Sequence, residues 1–219
     1  QPNEDYIGAF LEKIGPTQLE HISFGALFNG NMVGDISHVT IDSLVSIPSI
    51  QSLEILCMKP NTSLRSSDFV NLRSLKNLKN LTLGFANTAA LSASDEGASI
   101  FDTLKTLDTI ETLTIVPHAI NNGLMLGEEL KNWLNSFTPP SVKTLILHES
   151  IQDNNQFRFQ LMLKIPGQIE KVVVMKHSKS GIRASNDQFN KIIGWSVSTS
   201  DKQTLVLERD KVVPVKTDD

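Results

Sequence analysis

Asn77-Leu78-Lys79-Asn80-Leu81-Thr82-Leu83 is the stretch on which the fold turns. It reads polar, aliphatic, polar, polar, aliphatic, any residue, aliphatic. The last three positions alternate, as a short half-buried strand requires. The same phrase recurs at residues 18–24, 49–55, 109–115, 141–147 and 168–174, and in degenerate form at 201–207. Its middle aliphatic residue falls at Ile22, Leu53, Leu81, Leu113, Leu145, Val172 and Leu205. Steps of roughly 30 residues lie in the range that marks a repeat array.

A stretch with helical spacing precedes each phrase, at residues 6–14, 39–47, 68–75, 98–107, 128–137, 156–164 and 187–195. In 128–137 the apolar residues Leu130, Trp133, Leu134 and Phe137 fall at helical intervals. Asp68 and Asp187 stand where a helix N-cap belongs. Gly15-Pro16, Pro48, Pro139-Pro140 and Pro166-Gly167 break the chain between helix and strand. The expected order is therefore helix, tight turn, short strand and loop, repeated. Such a strand cannot stand alone, and such a helix buries only one stripe. Stacked neighbours complete the burial, with parallel strands on one face and helices on the other. Helices are wider than strands, so the array curves with the strands on its concave side. The stretch 86–98, rich in Ala, Ser, Asn and Asp, is expected on the rim. No linker divides the chain, so residues 1–219 read as a single domain.

Bulk properties narrow the function. The chain has 219 residues, 40% of them hydrophobic and 20% charged, which suits a folded domain. Its net charge is −4, without a run of Lys or Arg, which argues against a nucleic-acid partner. Aromatic residues are only 6%, so Leu, Ile and Val carry the core, as thin repeated layers require. Cys57 is the single cysteine; no internal disulfide or cysteine metal cluster can form, and the lean is to a cytoplasmic or nuclear location. Secretion is the alternative. The chain starts at Gln1 rather than Met, and Asn61-Thr62-Ser63 and Asn80-Leu81-Thr82 match the glycosylation acceptor pattern, although Asn80 begins a strand. No apolar run reaches the length of a membrane span.

The repeated phrase resembles the core of the leucine-rich repeat, Leu-x-x-Leu-x-Leu-x-x-Asn/Cys, over nearly the whole chain. The long, helix-bearing units look like the ribonuclease-inhibitor-like branch. Phe10-Leu11-Glu12-Lys13-Ile14-Gly15-Pro16 with Leu19-Glu20-His21-Ile22 is similar to the first unit after the F-box in divergent fungal and nematode F-box proteins. The resemblance implies an α/β leucine-rich-repeat solenoid of about seven irregular repeats. It also implies a non-catalytic protein–protein interaction module, the substrate-recognition region of an F-box-type ubiquitin-ligase subunit. A Skp1-type adaptor is implied only if an F-box precedes Gln1. The alternative is a secreted or cell-surface recognition protein or effector with the same fold. One departure matters. The family's asparagine position is held by Leu27, Met58, Ala86, His118, Ser150, His177 and Asp210. No asparagine ladder can form, and the turns must satisfy their backbone groups otherwise.

Catalytic constellations are missing from the sequence. It holds no Gly-x-Ser-x-Gly elbow, no phosphate-binding loop and no dinucleotide fingerprint. His118 and His177 share one repeat position but lie two repeats apart, about 10 Å at ordinary strand spacing, and read as structural rather than metal-binding. His148 ends its strand and reads as a rim residue, and Cys57, just past its strand, as a small buried hydrophobe. Asp95-Glu96 and Glu128-Glu129 read as solvated loop and helix-start carboxylates. The expectation is no enzyme, no cofactor and no metal. The binding residues are expected between the last two aliphatic positions of each phrase, facing the concave side. They read Ser23, Glu54, Thr82 and Thr114, then Ile146, Val173 and Val206: four polar, then three apolar. An exposed β-branched row is a contact patch, unless C-terminal loops or the tail 211–219 cover it. Gln51, Lys79, Glu111, Lys143 and Glu170 are expected to rim it.

Overall fold

Apolar residues spaced by three lead into the strands. They run Ile41, Leu44, Ile47, Ile50, Leu53 in one unit, Phe69, Leu72, Leu75, Leu78, Leu81 in the next, and Leu104, Leu107, Ile110, Leu113 in a third, none more than 2% exposed. Hydrogen bonds between residues three apart hold this spacing: the Ile47 N–H donates to the Leu44 carbonyl and that of Ile50 to Ile47. Leu75 and Leu78 repeat the pattern onto Leu72 and Leu75, Leu107 onto Leu104, Val142 onto Pro139 and Ile169 onto Pro166. Such turns eclipse side chains three apart, so each unit drops a column of aliphatic groups onto one side. The period then changes from three to two, and Ile55, Leu83 and Ile115 follow Leu53, Leu81 and Leu113 into the same core. Each fully buried Leu or Ile contributes about 1.5–3 kcal/mol of apolar transfer.

The computed structural model describes residues 11, 13, 19–24, 26–28, 31–33, 38–58, 66–85, 94–95, 98–99, 103–117, 138–149, 165–176, 194–200 and 204–210. In chain order the strands are β1 (His21–Phe24), β2 (Ala26–Phe28), β3 (Asn31–Val33), β4 (Ser52–Met58), β5 (Asn80–Phe85), β6 (Ser94–Asp95), β7 (Ala98–Ser99) and β8 (Thr112–Pro117). They continue as β9 (Thr144–Glu149), β10 (Lys171–Lys176), β11 (Trp195–Ser200) and β12 (Thr204–Arg209). Helix α1 (His38–Val45) precedes β4; helix α2 (Ser66–Asn71), extended by a 3₁₀ turn over Leu72–Ser74, precedes β5. Eight strands form one open sheet in the order β1-β4-β5-β8-β9-β10-β12-β11. The pairings from β1 to β10 are all parallel. The architecture is α/β, with a large and mostly parallel sheet.

The register is continuous. Ile22 pairs with Leu53, Leu53 with Leu81, Leu81 with Leu113, Leu113 with Leu145, and Leu145 with Val172. The repeated phrase therefore places its middle aliphatic residue at one level of six successive strands. The buried faces of α1 and α2 supply Ile41, Leu44 and Phe69 to the same core. Pro48 follows α1 closely and cannot continue a helix. The Asn71 amide donates to the Asp42 carboxylate at 2.7 Å and ties the two helices at their exposed side.

Several sequence expectations need correction. The seventh phrase runs the other way: β12 pairs antiparallel with β10, Val172 opposite Leu207 and Val174 opposite Leu205. Trp195, assigned to a helix over 187–195, begins β11 instead, which pairs antiparallel with β12 at the sheet edge. Only three residues separate β11 from β12, too few for the crossover that a parallel pair demands. Ala98 and Ser99, assigned to a helix, form a two-residue ladder with Ser94 and Asp95; helical residues in that unit appear at Thr103 and Leu104. Asp68 lies inside α2, not at its cap, because the helix starts at Ser66. Leu27, placed at the family's asparagine position, belongs to an antiparallel hairpin of β2 and β3 that the repeat pattern does not announce. The helices expected at 128–137 and 156–164 lie outside the described residues, as do His118, His177, Asn61, Glu96 and Glu128-Glu129.

A bulge marks β4. Ile55 pairs with Leu83 and Met58 with Phe85, so Leu56 and Cys57 together face Gly84. Cys57 thus lies within the strand rather than after it. The bulged backbone presses close: a Cβ on residue 84 would sit 2.9 Å from the Leu56 Cα and 3.0 Å from its carbonyl oxygen. Only glycine leaves room there.

Candidate functional site

The sheet has a core face and an opposite face, because side chains alternate along each strand. The residues between the two buried aliphatic positions all fall on the opposite face, and they share one register. Ser23 pairs with Glu54, Glu54 with Thr82, Thr82 with Thr114, Thr114 with Ile146, Ile146 with Val173, and Val173 with Val206. Seven strands thus carry one unbroken row of side chains, including the antiparallel β12. An antiparallel strand in register keeps the same alternation, so Val206 reaches the same face although its strand is reversed.

Ser23 is exposed, and Glu54, Thr82, Thr114, Ile146, Val173 and Val206 are half-buried. The sequence leaves an exposed row and a covered one equally open; the structure gives a half-shaded one, with neighbours about 5 Å apart on adjacent strands lying against each other's flanks. Among the described residues Val70 is the only large hydrophobic group classed as exposed, at 39%, and it lies on α2. One step further along the strands, Leu56, Val116, His148 and Met175 are also half-buried. His148, second from the end of β9, pairs with Met175 and stands on this face. The apolar half of the face therefore holds Val116, Ile146, Val173, Met175 and Val206. The half over β1, β4 and β5 is polar along the row.

The rim is built at the lead-in to each strand. Here a carbonyl accepts two N–H groups from the following unit, five times over. Glu20 accepts from Gln51 and Ser52, Gln51 from Lys79 and Asn80, Lys79 from Glu111 and Thr112, Glu111 from Lys143 and Thr144, and Lys143 from Glu170 and Lys171, all at 2.8–3.1 Å. The side chains of these lead-in residues are exposed, and from Lys79 through Glu111 and Lys143 to Glu170 they alternate in charge. Lys79 pairs with Glu111, and Lys143 Nζ lies 3.1 Å from Glu170 Oε1. On the face itself Lys171 lies 4.0 Å from Glu208. Exposed pairs like these contribute about 0–1 kcal/mol each and mainly cancel charge.

No protein-family model and no curated protein matches this chain.

Among the described residues no group of three or more His, Cys, Asp or Glu is placed to hold a metal ion. No described helix is long and apolar enough to cross a membrane. The polar first residue of the phrase has a role that its chemistry suggests only in outline. Ser49 Oγ donates to the Leu19 carbonyl at 2.8 Å, Asn77 Nδ2 to Pro48 at 2.8 Å and Ser141 Oγ to Leu107 at 3.2 Å. Each bond reaches back one unit and satisfies a turn carbonyl. These bonds lie at the lead-in end of the strands, where turn carbonyls need a donor.

Arg209 is the functional-looking residue that the phrase misses. It ends β12, and its guanidinium donates to the Ile169 carbonyl at 2.8 Å and the Pro166 carbonyl at 3.0 Å. Its backbone N–H donates to the Glu170 carbonyl at 2.8 Å. The guanidinium also lies over the Trp195 ring, 4.4 Å from its centroid. Arg209 therefore staples the antiparallel hairpin to the last parallel unit, a structural task rather than a binding one.

Proposed function

We propose that this chain is a non-catalytic protein–protein interaction module of the leucine-rich-repeat type. In this reading it is a solenoid with its strands on the concave side and helices on the convex side. Its binding residues are Glu54, Thr82, Thr114, Ile146, Val173 and Val206. The observation that carries the reading is the single in-register row across seven strands, polar at one end and apolar at the other. A broad sheet face of graded polarity, repeated on a rigid aliphatic core, suits recognition of an extended macromolecular surface. Within that class, the likeness of Phe10-Leu11-Glu12-Lys13-Ile14-Gly15-Pro16 to post-F-box units supports a substrate-recognition region of an F-box-type ubiquitin-ligase subunit. That assignment carries the intracellular location with it.

The test uses Val173→Asp in the full chain. A partner captured by the unsubstituted protein is lost, while the melting temperature moves by no more than about 3 °C, as a surface change of under ~0.5–1 kcal/mol gives. A fall of 10 °C or more would place Val173 in a packed core and remove the binding face. The ligase assignment is tested separately on the natural protein. Recovery of a Skp1-type adaptor with it supports the assignment, and its consistent absence from purified complexes removes it.

A further inference from the structure

We infer that the apolar half of the sheet face takes a short, uncharged segment of a partner chain carrying two or three branched aliphatic side chains, laid across β9, β10 and β12. This rests on the interaction-module reading and names the chemistry of its partner. Three observations lead to it. The first is size. Ile146 on β9, Val173 and Met175 on β10 and Val206 on β12, at about 4.8 Å strand spacing, give an apolar area on the order of 100–150 Å², bordered on the same face by His148 and Thr204. A stable globular dimer needs about 800 Å² per partner. The patch fits a short segment and is too small to seat a second copy of the chain by itself.

The second is charge. Around the patch, Lys143 pairs with Glu170 and Lys171 with Glu208. These cations and anions compensate each other across neighbouring strands, so the rim offers little net field to a charged ligand. Glu54, the one charged residue of the row, stands three strands from Ile146. That is about 14 Å, beyond the screening length of about 8 Å at physiological ionic strength. The third is shape. Ile146, Val173 and Val206 are β-branched or stiff at the first torsion, and each is shaded by its neighbour on the next strand. They present a fixed ridge onto which aliphatic side chains pack without reordering the protein.

The experiment follows the Ile and Val methyl groups of the full chain by NMR. Three end-capped synthetic peptides serve as probes: Ser-Thr-Ile-Val-Val-Thr-Ser, the same core flanked by two lysines, and the same core flanked by two glutamates. The expected result is saturable shifts confined to Val116, Ile146, Val173 and Val206. Affinity should agree within about threefold among the three peptides and between about 0.05 and 0.5 M salt. Val173→Asp should weaken binding at least tenfold, and Val173→Thr, which keeps the side-chain shape, at least threefold, both with an unchanged melting profile. A charged peptide binding tenfold tighter than the neutral one, with that advantage lost in salt, would overturn the neutral-segment proposal and leave the interaction face standing. If none of the peptides moves these methyl groups at millimolar concentration, the docking proposal fails. Retained partner capture by the Val173→Asp protein would bring down the face as well.

Discussion

The parallel strands β1 to β10 and the antiparallel pair β12 and β11 are built from the same kind of residue but point in different directions. Leu205 and Leu207 are buried and Val206 is half-buried between them, as in the copies on β4, β5, β8, β9 and β10. The difference lies one turn earlier. In the parallel copies the first aliphatic position is held by residues such as Ile50, Leu78, Val142 and Ile169, each with a hydrogen bond back three residues, and by the fully buried Ile110. That position in the last copy is Lys202. Alternation alone decides which side chains are inside; it is blind to strand direction. Direction is set by what precedes the strand. Here a three-residue link from β11 leaves only the hairpin.

The two regions also solve backbone accounting differently. Each parallel lead-in carbonyl takes two N–H groups from the next unit. At the end of the parallel run the Glu170 carbonyl takes the Arg209 N–H, and the Arg209 side chain takes the carbonyls of Ile169 and Pro166. One arginine thus substitutes for a missing unit. Gly194 helps by reaching φ 84°, a left-handed conformation that glycine adopts freely, just before β11, where its carbonyl accepts from the Asp210 N–H.

The comparison breaks most severely at the centre of the parallel region. Leu81 is fully buried between Leu53 and Leu113, and Leu81→Ala should destabilise the chain by about 2–5 kcal/mol in urea denaturation. A loss under about 1 kcal/mol would show that the aliphatic column is not a packed core. Next comes the close approach at the β4 bulge. Gly84→Ala forces its methyl group against the Leu56 backbone, so a loss of about 1–3 kcal/mol is expected. An unchanged stability would mean that β4 and β5 pair without the bulge. The smallest effect sharpens the contrast between regions. Arg209→Met keeps much of the apolar stem and removes the carbonyl contacts; with solvent screening, about 1–2 kcal/mol should be lost. In amide hydrogen exchange that loss should appear in β11 and β12, with β5 and β8 unaffected. Uniform loss of protection would make the hairpin part of one cooperative unit with the parallel strands.

Much of this was legible because the core is periodic. The seven-residue phrase locates the buried residues of six parallel strands and their register. It also places Ser23, Glu54, Thr82, Thr114, Ile146, Val173 and Val206 on one row. What stayed hidden depends on contacts that a phrase of seven residues does not contain. The reversal at β12 depends on the length of its link to β11. The strand at Trp195–Ser200 depends on partners five to fourteen residues onward. The bulge opposite Gly84 is a backbone adjustment between two units. The degree of shading on the row depends on neighbours across strands, which is why the phrase leaves exposure and coverage equally open and only the fold shows a half-buried row.

The central claim is that one row of side chains crosses the sheet in strand order. Spin labels on Ser23→Cys and Val173→Cys, in a chain with Cys57→Ser, measure it directly by dipolar spectroscopy. Five strand spacings separate these positions, so a single narrow distance near 24 Å is predicted, shortened slightly by any curvature of the sheet. A separation beyond about 35 Å, or a broad spread of distances, would contradict the ordered parallel row.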